Sequence, residues 1–181
     1  MTRVFEQILY QVFHSAARRI GYDACLVHSA GVIGGDRGFL FVGPSAAGKS
    51  TIASLSGDHA VVNDEMNLVQ FTGSGPRLLA SPFNGFYRDK QAATAPLTAV
   101  ILLAQGDEHR LDTIGSGQAA AAIAAQVAPP VGLLDPPEPS TTEAMLETAL
   151  RLVGTVPVRR LTFRKDPGFW PVVLSEFPST T

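Results

Sequence analysis

Cysteine is almost absent from this chain, and that scarcity limits what the protein can be. The single cysteine, Cys25, excludes an internal disulfide and fits a reducing compartment. Because Cys25 lies in the apolar run 24–27, we expect a buried structural thiol rather than a nucleophile. The sequence also lacks a signal-peptide pattern and any apolar run long enough to span a bilayer. These absences predict a cytoplasmic protein without a membrane partner.

An excess of charge of either sign is missing as well. The chain has 14 basic and 16 acidic residues, which gives a formal net charge of −2. Proteins that bind nucleic acid usually show a basic footprint, so we expect no nucleic-acid partner. With 45% hydrophobic residues among 181, the chain can bury a sizeable core, and we expect residues 1–181 to form a single domain.

One stretch organises the rest of the sequence, GFLFVGPSAAGKST from Gly38 to Thr51. Residues 39–42 predict a short buried strand, residues 43–50 fit the pattern G-x-x-x-x-G-K-[ST] of the P-loop (Walker A), and a helix is expected over 49–55. Backbone N–H groups of such a loop converge on phosphate oxygens. Within it, Lys49 would reach the β- and γ-phosphates and the Ser50 hydroxyl would ligate Mg²⁺. The predicted nucleotide-binding residues are Gly43, Ser45, Ala46, Ala47, Gly48, Lys49, Ser50 and Thr51.

Two further positions point to the same site. The apolar run 60–62 ends at Asn63-Asp64-Glu65, where P-loop enzymes hold Mg²⁺ through a carboxylate. Asp64 is the first candidate for a metal ligand or base, and Glu65 is the second. The turn 34–38, GGDRG, predicts a hairpin that sets His28 opposite the first P-loop residues. Taken singly, an acidic turn or a strand histidine is more often structural.

The remaining pattern favours the α/β class, with a mixed sheet flanked by helices. Residues 4–20 show apolar side chains at helical spacing, which predicts an amphipathic helix packed on the sheet, with His14 at the border of its apolar stripe. Residues 67–71 and 77–80 predict two successive strands joined by a hairpin loop. Such a pair argues against alternating βαβ units. Other strands are expected at 24–33, 96–105 and 156–163, and helices at 117–127 and 140–153. Ser140 and Glu143 would form a capping box, Gly154 would end that helix, proline-rich residues 128–139 would form a loop, and a last short element would cover 169–174.

The loop 81–90, SPFNGFYRDK, combines turn formers, aromatic residues and two cations. Arg88 is a candidate stabiliser of negative charge on a transferring phosphoryl group, although surface cations are usually only solvated.

Taken together, LVHSAGV, GFLFVGPSAAGKST, VVNDE and SPFNG resemble the P-loop kinase domain of HPr kinase/phosphorylase and its relatives, a fold shared with phosphoenolpyruvate carboxykinases. The resemblance covers Leu26 to Gly85 and continues more weakly through the strand at Leu97 and the ending FRKDPGFW. It implies that His28 lies near the phosphates, and that Asp64 acts as base toward an acceptor hydroxyl with Glu65 near the metal. It also implies possible self-association, because HPr kinases assemble as oligomers.

Two positions depart from that family pattern. Ala46 stands where the kinases usually carry glycine, so it stiffens the loop if the local backbone suits alanine and strains it otherwise. Glu65 replaces a second aspartate, which leaves open which acidic residue is the base.

The leading hypothesis is therefore ATP- and Mg²⁺-dependent phosphoryl transfer to a hydroxyl acceptor, as in an HPr kinase-like serine or small-molecule kinase. Asp64 would take the proton, His28 would assist and Arg88 would stabilise charge. The alternative is an ATP- or GTP-binding switch or scaffold with slow hydrolysis, since the same loop serves both. A small-molecule carboxykinase is disfavoured because the chain is short. The sequence does not distinguish ATP from GTP, nor a protein, peptide or small-molecule acceptor.

Overall fold

The computed structural model describes residues 2–83, 85–129 and 141–179, with backbone only for residues 2–7. Helices and strands alternate irregularly along these ranges, which gives the mixed α/β architecture that the sequence favours. The elements are α1 (Thr2–Arg19), β1 (Ala24–Gly34), β2 (Arg37–Val42), α2 (Lys49–Ser54), β3 (Ala60–Asn63), β4 (Met66–Thr72), β5 (Gly75–Leu79), β6 (Thr94–Gln105), β7 (Arg110–Thr113), α3 (Ser116–Ala124), α4 (Thr141–Thr155), β8 (Val158–Phe163) and α5 (Phe169–Glu176).

In the described ranges, eight strands form one sheet that folds over on itself. One half has the order β3-β1-β2-β6-β8-β7, in which β2, β6 and β8 run parallel and the other neighbours are antiparallel. The other half, β1-β4-β5-β6, is wholly antiparallel. Strands β1 and β6 belong to both halves. The expectation of a mixed sheet with a central strand over 96–105 is confirmed.

The two predicted hairpins are present. Strands β1 and β2 pair with Gly34 opposite Arg37, so the turn has two residues and begins at Gly35 with a φ of 69°. At the far end of this pair Ser29 lies opposite Val42. His28 is therefore level with Gly43, where the predicted phosphate-binding loop begins. Strands β4 and β5 form the second hairpin.

Strand β2 is an unbroken apolar run because it is buried on both of its faces. Successive side chains of a strand point to opposite faces, and both faces of β2 are covered. Phe39 and Phe41 pack with residues of α2 and α5, including Ile52 and Phe169. On the other face, Leu40 and Val42 belong to a cluster that includes residues of α3 and α4. The helices thus flank the sheet on both sides.

Helix α1 packs on the sheet as expected, but through a face that coincides only in part with the predicted stripe. Of that stripe, Ala17 is buried and Phe13 is partly buried, whereas Ile8, Leu9, Val12 and Ile20 are between 37% and 78% exposed. Tyr10, which lies outside the stripe, is buried. His14 is also buried, at 3% exposure, so its predicted border position is wrong. Both sets of residues recur at helical spacing, and contact with β1 and β4 decides between them.

Smaller differences concern element ends. Strand β7 was not predicted, because its four residues are largely exposed and polar and it exists by pairing with β8. Gly154 lies inside α4 rather than at its end. The predicted cap at Ser140 and most of the loop over 128–139 lie outside the described residues. None of the described helices is long and apolar enough to cross a membrane.

Candidate functional site

The carboxyl ends of the parallel strands β2, β6 and β8 meet at one edge of the sheet beside a cavity of about 440 Å³. Ligands of α/β sheets commonly bind at this edge. Most of the residues predicted from sequence line the cavity: His28, Ser45, Ala46, Gly48, Lys49, Ser50, Thr51, Asp64 and Glu65. Four residues that sequence reasoning did not select also line it: Phe86, Gln105, Phe163 and Lys165.

The loop between β2 and α2 holds its shape through two residues with positive φ. Gly48 has a φ of 110°, and a Cβ at this position would lie 2.7 Å from Cζ of Phe163, so glycine is required by both backbone and space. Ala46 has a φ of 65°. Alanine at Ala46 therefore strains the loop rather than merely stiffening it, since the left-handed region costs an L-residue about 1–2 kcal/mol. Gln105 Nε2 donates to the Ala46 carbonyl at 2.7 Å and ties this turn to the end of β6.

Lys49 is held by the loop that precedes it. Its Nζ donates to the carbonyl oxygens of Gly43 at 2.8 Å and Pro44 at 3.1 Å. The Gly43 carbonyl thus holds the Lys49 ammonium, although Gly43 itself does not line the cavity. Burial lowers the pKa of Lys49, and the nearby Glu65 carboxylate opposes that shift. The neighbouring Ser50 hydroxyl, which lines the same cavity, makes no hydrogen bond to any described residue.

Asp64 is buried at 1% exposure beneath the loop 81–90. Its Oδ2 accepts a hydrogen bond from the Phe86 N–H at 3.1 Å. Its Oδ1 is buried and has no hydrogen-bond partner among the described residues. A Cβ at Gly85 would lie 1.9 Å from this oxygen, so only glycine fits at this point of the loop. Within the described ranges, Asp64 therefore has one carboxylate oxygen fixed and one without a hydrogen-bond partner.

Asn63 connects this acidic turn to the loop above it. Its Nδ2 donates to the Phe83 carbonyl at 2.6 Å and to the Ser81 hydroxyl at 3.1 Å, and its Oδ1 accepts from the Glu65 N–H at 2.9 Å. The sequence pairs NDE with SPFNG as motifs, but it does not reveal that Asn63 joins them.

His28 Nε2 and Glu65 Oε1 lie 3.4 Å apart in the wall of the cavity. Both side chains are about one-third exposed, at 30% and 38%. The structure thus brings together the strand histidine, the acidic pair and the loop lysine. The most distant two, His28 and Glu65, are 37 positions apart in the sequence.

Arg88 is not brought into this group. It is exposed and lines a separate cavity of about 350 Å³ with Gly85, Phe86, Tyr87 and Lys90. The second lysine that lines the main cavity is Lys165, which is exposed and makes no hydrogen bond or ion pair within the described ranges. Sequence reasoning did not select Lys165, which enters the site through the pairing of β8 with β6.

The turn that carries Lys165 is firmly held at Asp166. The Asp166 carboxylate accepts hydrogen bonds from the Gly168 N–H at 2.9 Å, from His109 Nε2 at 2.7 Å and from Arg164. The first two of these bonds lead the causes that lower the pKa of Asp166 to about 2. The conformation of the turn that carries Lys165 therefore does not depend on the Lys165 side chain.

The residues that line the cavity are compatible with one mode of Mg²⁺ binding, in which the metal keeps most of its waters. No group of three His, Cys, Asp or Glu side chains in the described parts of the chain could form an all-protein metal cage. Mg²⁺ usually keeps several waters and takes one or two carboxylates together with substrate phosphates. The Ser50 hydroxyl and the carboxylates of Asp64 and Glu65 share one cavity and match that mode.

The comparisons with known proteins found a similarity only at the level of the fold. No family model matches this chain, and no curated protein matches it. Among solved structures, the Hpr(Ser) kinase/phosphatase from Coxiella burnetii is similar, with a TM-score of 0.42 and 13% sequence identity over 83% of this chain and 86% of that chain. A likeness of this strength concerns the fold at most and carries no statement about the chemistry of this chain.

Proposed function

We propose that this protein is a Mg²⁺-dependent phosphotransferase that moves the terminal phosphoryl group of ATP to a hydroxyl acceptor. The observation that carries the proposal is a cavity in which Lys49 meets the Ser50 hydroxyl and Asp64 Oδ1, two groups without a hydrogen-bond partner among the described residues. These are the three kinds of group that phosphoryl transfer requires: a cation for phosphate, a metal ligand and a proton acceptor.

The loop and the two lysines would bind the polyphosphate. Lys49 already projects its ammonium to the base of the loop, and Lys165 adds a second positive charge from the end of β8. A half-enclosed site strengthens such contacts, because they are only partly screened by water. Mg²⁺, held by the Ser50 hydroxyl and the Glu65 carboxylate, would neutralise charge on the phosphate oxygens and leave Asp64 Oδ1 for the proton.

The transfer itself needs orientation and one proton acceptor. The acceptor oxygen would form a bond to the terminal phosphorus while the bond from phosphorus to the bridging oxygen breaks, with its electron pair leaving on ADP. The hydroxyl proton would pass to Asp64 Oδ1, which has no competing donor among the described residues. His28 and Glu65 would fix the wall beside that oxygen.

One observation favours a second candidate, the nucleotide-dependent switch with slow hydrolysis. Gly85 and Phe86 cover Asp64, so the proposed base is nearly inaccessible while the loop 81–90 stays in place. A protein that turns over slowly until a partner shifts this loop would have the same structure. Product analysis separates the two: the phosphotransferase yields a phosphorylated acceptor, and the switch yields inorganic phosphate.

Titration calorimetry with Mg²⁺-ATP tests the proposed binding site. We expect Lys49→Met to weaken binding roughly 10- to 100-fold, since a hydrogen bond to a charged group is worth about 1.5–3 kcal/mol. Asp64→Asn should keep nucleotide binding and lose transfer.

A matched pair on α2 tests the metal ligand. Ser50→Ala should weaken the Mg²⁺-dependent part of binding. Ser54→Ala should not, because the Ser54 hydroxyl only bonds the Ser50 carbonyl.

Absence of Mg²⁺-ATP binding by the folded parent protein would refute the proposed function.

A further inference from the structure

A separate cavity lies behind the loop that joins β2 to α2, on the side of α3. It has a volume of about 330 Å³ and is lined by Gly43 and Pro44 of the loop, by Leu102 and Leu103 at the end of β6, and by α3. None of the described residues that line it belongs to the main cavity. We call it the rear cavity. Small-molecule sites have volumes of about 300–1,000 Å³, so the rear cavity is large enough for a small ligand.

The walls of the rear cavity suit an apolar group. They include Val42, Leu102 and Ile114, and more of the lining surface is apolar than polar. Val42 and Leu102 belong to the core on this side of the sheet, so these walls keep their position without a ligand. An apolar molecule that removes such surface from water gains free energy.

Arg160 gives the rear cavity a positive charge. Its side chain is half-buried, lines the cavity and makes no hydrogen bond or ion pair among the described residues. A charge that is partly removed from water without a partner is unfavourable, so this guanidinium favours the binding of an anion. A carboxylate is well suited, because a guanidinium can bind both of its oxygens at once.

No carboxylate of the described residues occupies this position already. Asp112 lies directly opposite Arg160 in the pairing of β7 with β8, but its carboxylate accepts a hydrogen bond from Arg110 Nη1 at 2.8 Å and makes no ion pair with Arg160. No aspartate or glutamate of the described residues lines the rear cavity, whereas the amides of Gln118 and Gln126 do. Both amides can donate to a carboxylate oxygen. The lining therefore favours an anion.

The rear cavity also adjoins the segment that holds Lys49. Its lining residues Gly43 and Pro44 accept hydrogen bonds from Lys49 Nζ through their carbonyls, at 2.8 Å and 3.1 Å. A Cβ at Gly43 would lie 3.5 Å from Cβ of Leu103, so the loop begins in contact with the cavity wall. A ligand packed against this segment restricts its motion. Less entropy is then lost when a nucleotide orders the loop, so the two ligands bind cooperatively.

We propose that the rear cavity is an effector site for a small organic anion, a carboxylate carried on an apolar group, and that its occupancy tightens nucleotide binding. The carboxylate pairs with Arg160, and the apolar group lies along Val42, Leu102 and Ile114. Binding of the anion is independent of the phosphotransferase function, whereas the coupling rests on the nucleotide binding proposed above.

The first test compares octanoate with octanamide, which has the same chain without the charge. We expect saturation-transfer difference NMR to show octanoate binding at least about tenfold more tightly, as a hydrogen bond between charged groups would give. Acetate, which has the charge without the chain, should also bind at least about tenfold more weakly than octanoate. Absence of octanoate binding, or equal affinity for octanamide, would overturn the proposal.

Two neighbouring arginines of β8 provide a matched pair. Arg160 lines the rear cavity, whereas Arg159 points to the other face of the sheet, where its Nε donates to Glu176 Oε1 of α5 at 2.8 Å. Arg160→Gln should weaken octanoate binding at least about tenfold and leave octanamide binding unchanged, and Arg159→Gln should change neither. An equal loss of octanoate binding in both variants would reflect net charge alone and would refute the site.

A second pair, on α3, tests the location by filling space. Ala122 is half-buried and lines the rear cavity, whereas Ala121 is exposed and lines none of the described cavities. Ala122→Leu should weaken octanoate binding at least about tenfold, and Ala121→Leu should not. Unchanged binding by Ala122→Leu, with circular dichroism showing an intact fold, would contradict the proposed location.

Calorimetry with Mg²⁺-ATP tests the coupling. Saturating octanoate should tighten nucleotide binding by the parent protein roughly fivefold or more, as is typical of allosteric coupling. The same concentration should have no effect in Arg160→Gln, which also controls for any influence of octanoate on free Mg²⁺. Unchanged or weaker nucleotide binding by the parent protein would refute the effector role.

The same titrations separate this proposal from the proposed function. If the parent protein binds octanoate through Arg160 but binds no nucleotide, the anion site is confirmed, and the effector role fails together with the phosphotransferase function. If it binds nucleotide but no octanoate, the effector site is refuted while the phosphotransferase proposal stands.

Discussion

Ala46 concentrates backbone strain at a single residue. It is the one described residue other than glycine with a positive φ, at 65°. Replacing it with glycine removes a left-handed penalty of about 1–2 kcal/mol and adds unfolded-state entropy worth about 0.4–1 kcal/mol. We therefore expect Ala46→Gly to raise the free energy of unfolding by roughly 0.5–1 kcal/mol, measured by urea denaturation.

The neighbouring residue supplies the control for this prediction. Ala47 does not have a positive φ, so Ala47→Gly adds only unfolded-state entropy and should be destabilising. If Ala46→Gly and Ala47→Gly destabilise the protein equally, the loop is not strained at Ala46.

His14 makes stability depend on pH. Burial, and then the charge of Arg18, lower the pKa of His14 from 6.5 to about 4. Between these values the unfolded chain binds a proton that the folded chain excludes, so the contribution is complete above pH 6.5 and is lost as pH falls toward 4. The loss is on the order of 3 kcal/mol.

Urea denaturation of the parent and of His14→Gln across this pH range checks the prediction. The variant should show a flatter dependence of the unfolding free energy on pH. Burial also lowers the pKa of His59, so both proteins keep a slope of the same sign, and the difference between them isolates His14. Identical slopes would mean that His14 is accessible to solvent.

At the level of elements, the end of β6 supports the loop that follows β2. The two strands are parallel neighbours, and Gln105 Nε2 reaches the Ala46 carbonyl across a sequence separation of 59 residues. Gln105→Ala removes this bond, worth about 0.5–1.5 kcal/mol. If the loop binds nucleotide, Mg²⁺-ATP affinity should fall roughly 2- to 10-fold.

Calorimetry on a second variant controls for a general effect of losing an amide. Gln70 on β4 makes no side-chain hydrogen bond among the described residues and lines none of the described cavities. Gln70→Ala should leave affinity unchanged. An unaltered affinity in Gln105→Ala would show that the bond to Ala46 does not organise the binding loop.

At the scale of the whole molecule, Cys25 reports on global unfolding. It lies on β1, which belongs to both halves of the sheet, and burial raises the pKa of its thiol to about 12. A buried protonated thiol reacts only when the surrounding structure opens. We expect labelling by Ellman's reagent to be at least about a thousandfold slower in the native protein than in denaturant.

The denaturant dependence of this labelling distinguishes two routes. Cys25 also lines a cavity of about 390 Å³ beneath α1. A rate that rises with urea in step with unfolding supports reaction through the opened molecule, whereas fast labelling independent of urea would mean that the reagent enters through that cavity.

Features that depend on neighbouring residues were correctly predicted from the sequence. The hairpin turn within 34–38 and the apolar run of β2 follow from local backbone preferences and from the period of two along a strand, although the two-residue length of the turn comes from the structure. The register of β1 against β2 then places His28 level with Gly43. The meeting of His28, Lys49 and Asp64 in one cavity was predictable for this reason.

Features that depend on distant pairing were missed or misplaced. Lys165 and Phe163 join the site because β8 pairs with β6, and Arg88 stays outside it because the loop 81–90 turns its backbone, not that side chain, toward Asp64. Helix α1 carries two possible apolar faces, and its contact with the sheet selects the one that contains Tyr10. Local spacing contains no information on such choices.

The sequence by itself determined the loop, the hairpins and the acidic turn, because each is encoded within a few consecutive residues. The tertiary structure alone decided which side chains surround the cavity and what adjoins it. Gln105, Phe163 and Lys165 come from strands that are far from the loop in the chain, and only the folded sheet brings them to the cavity.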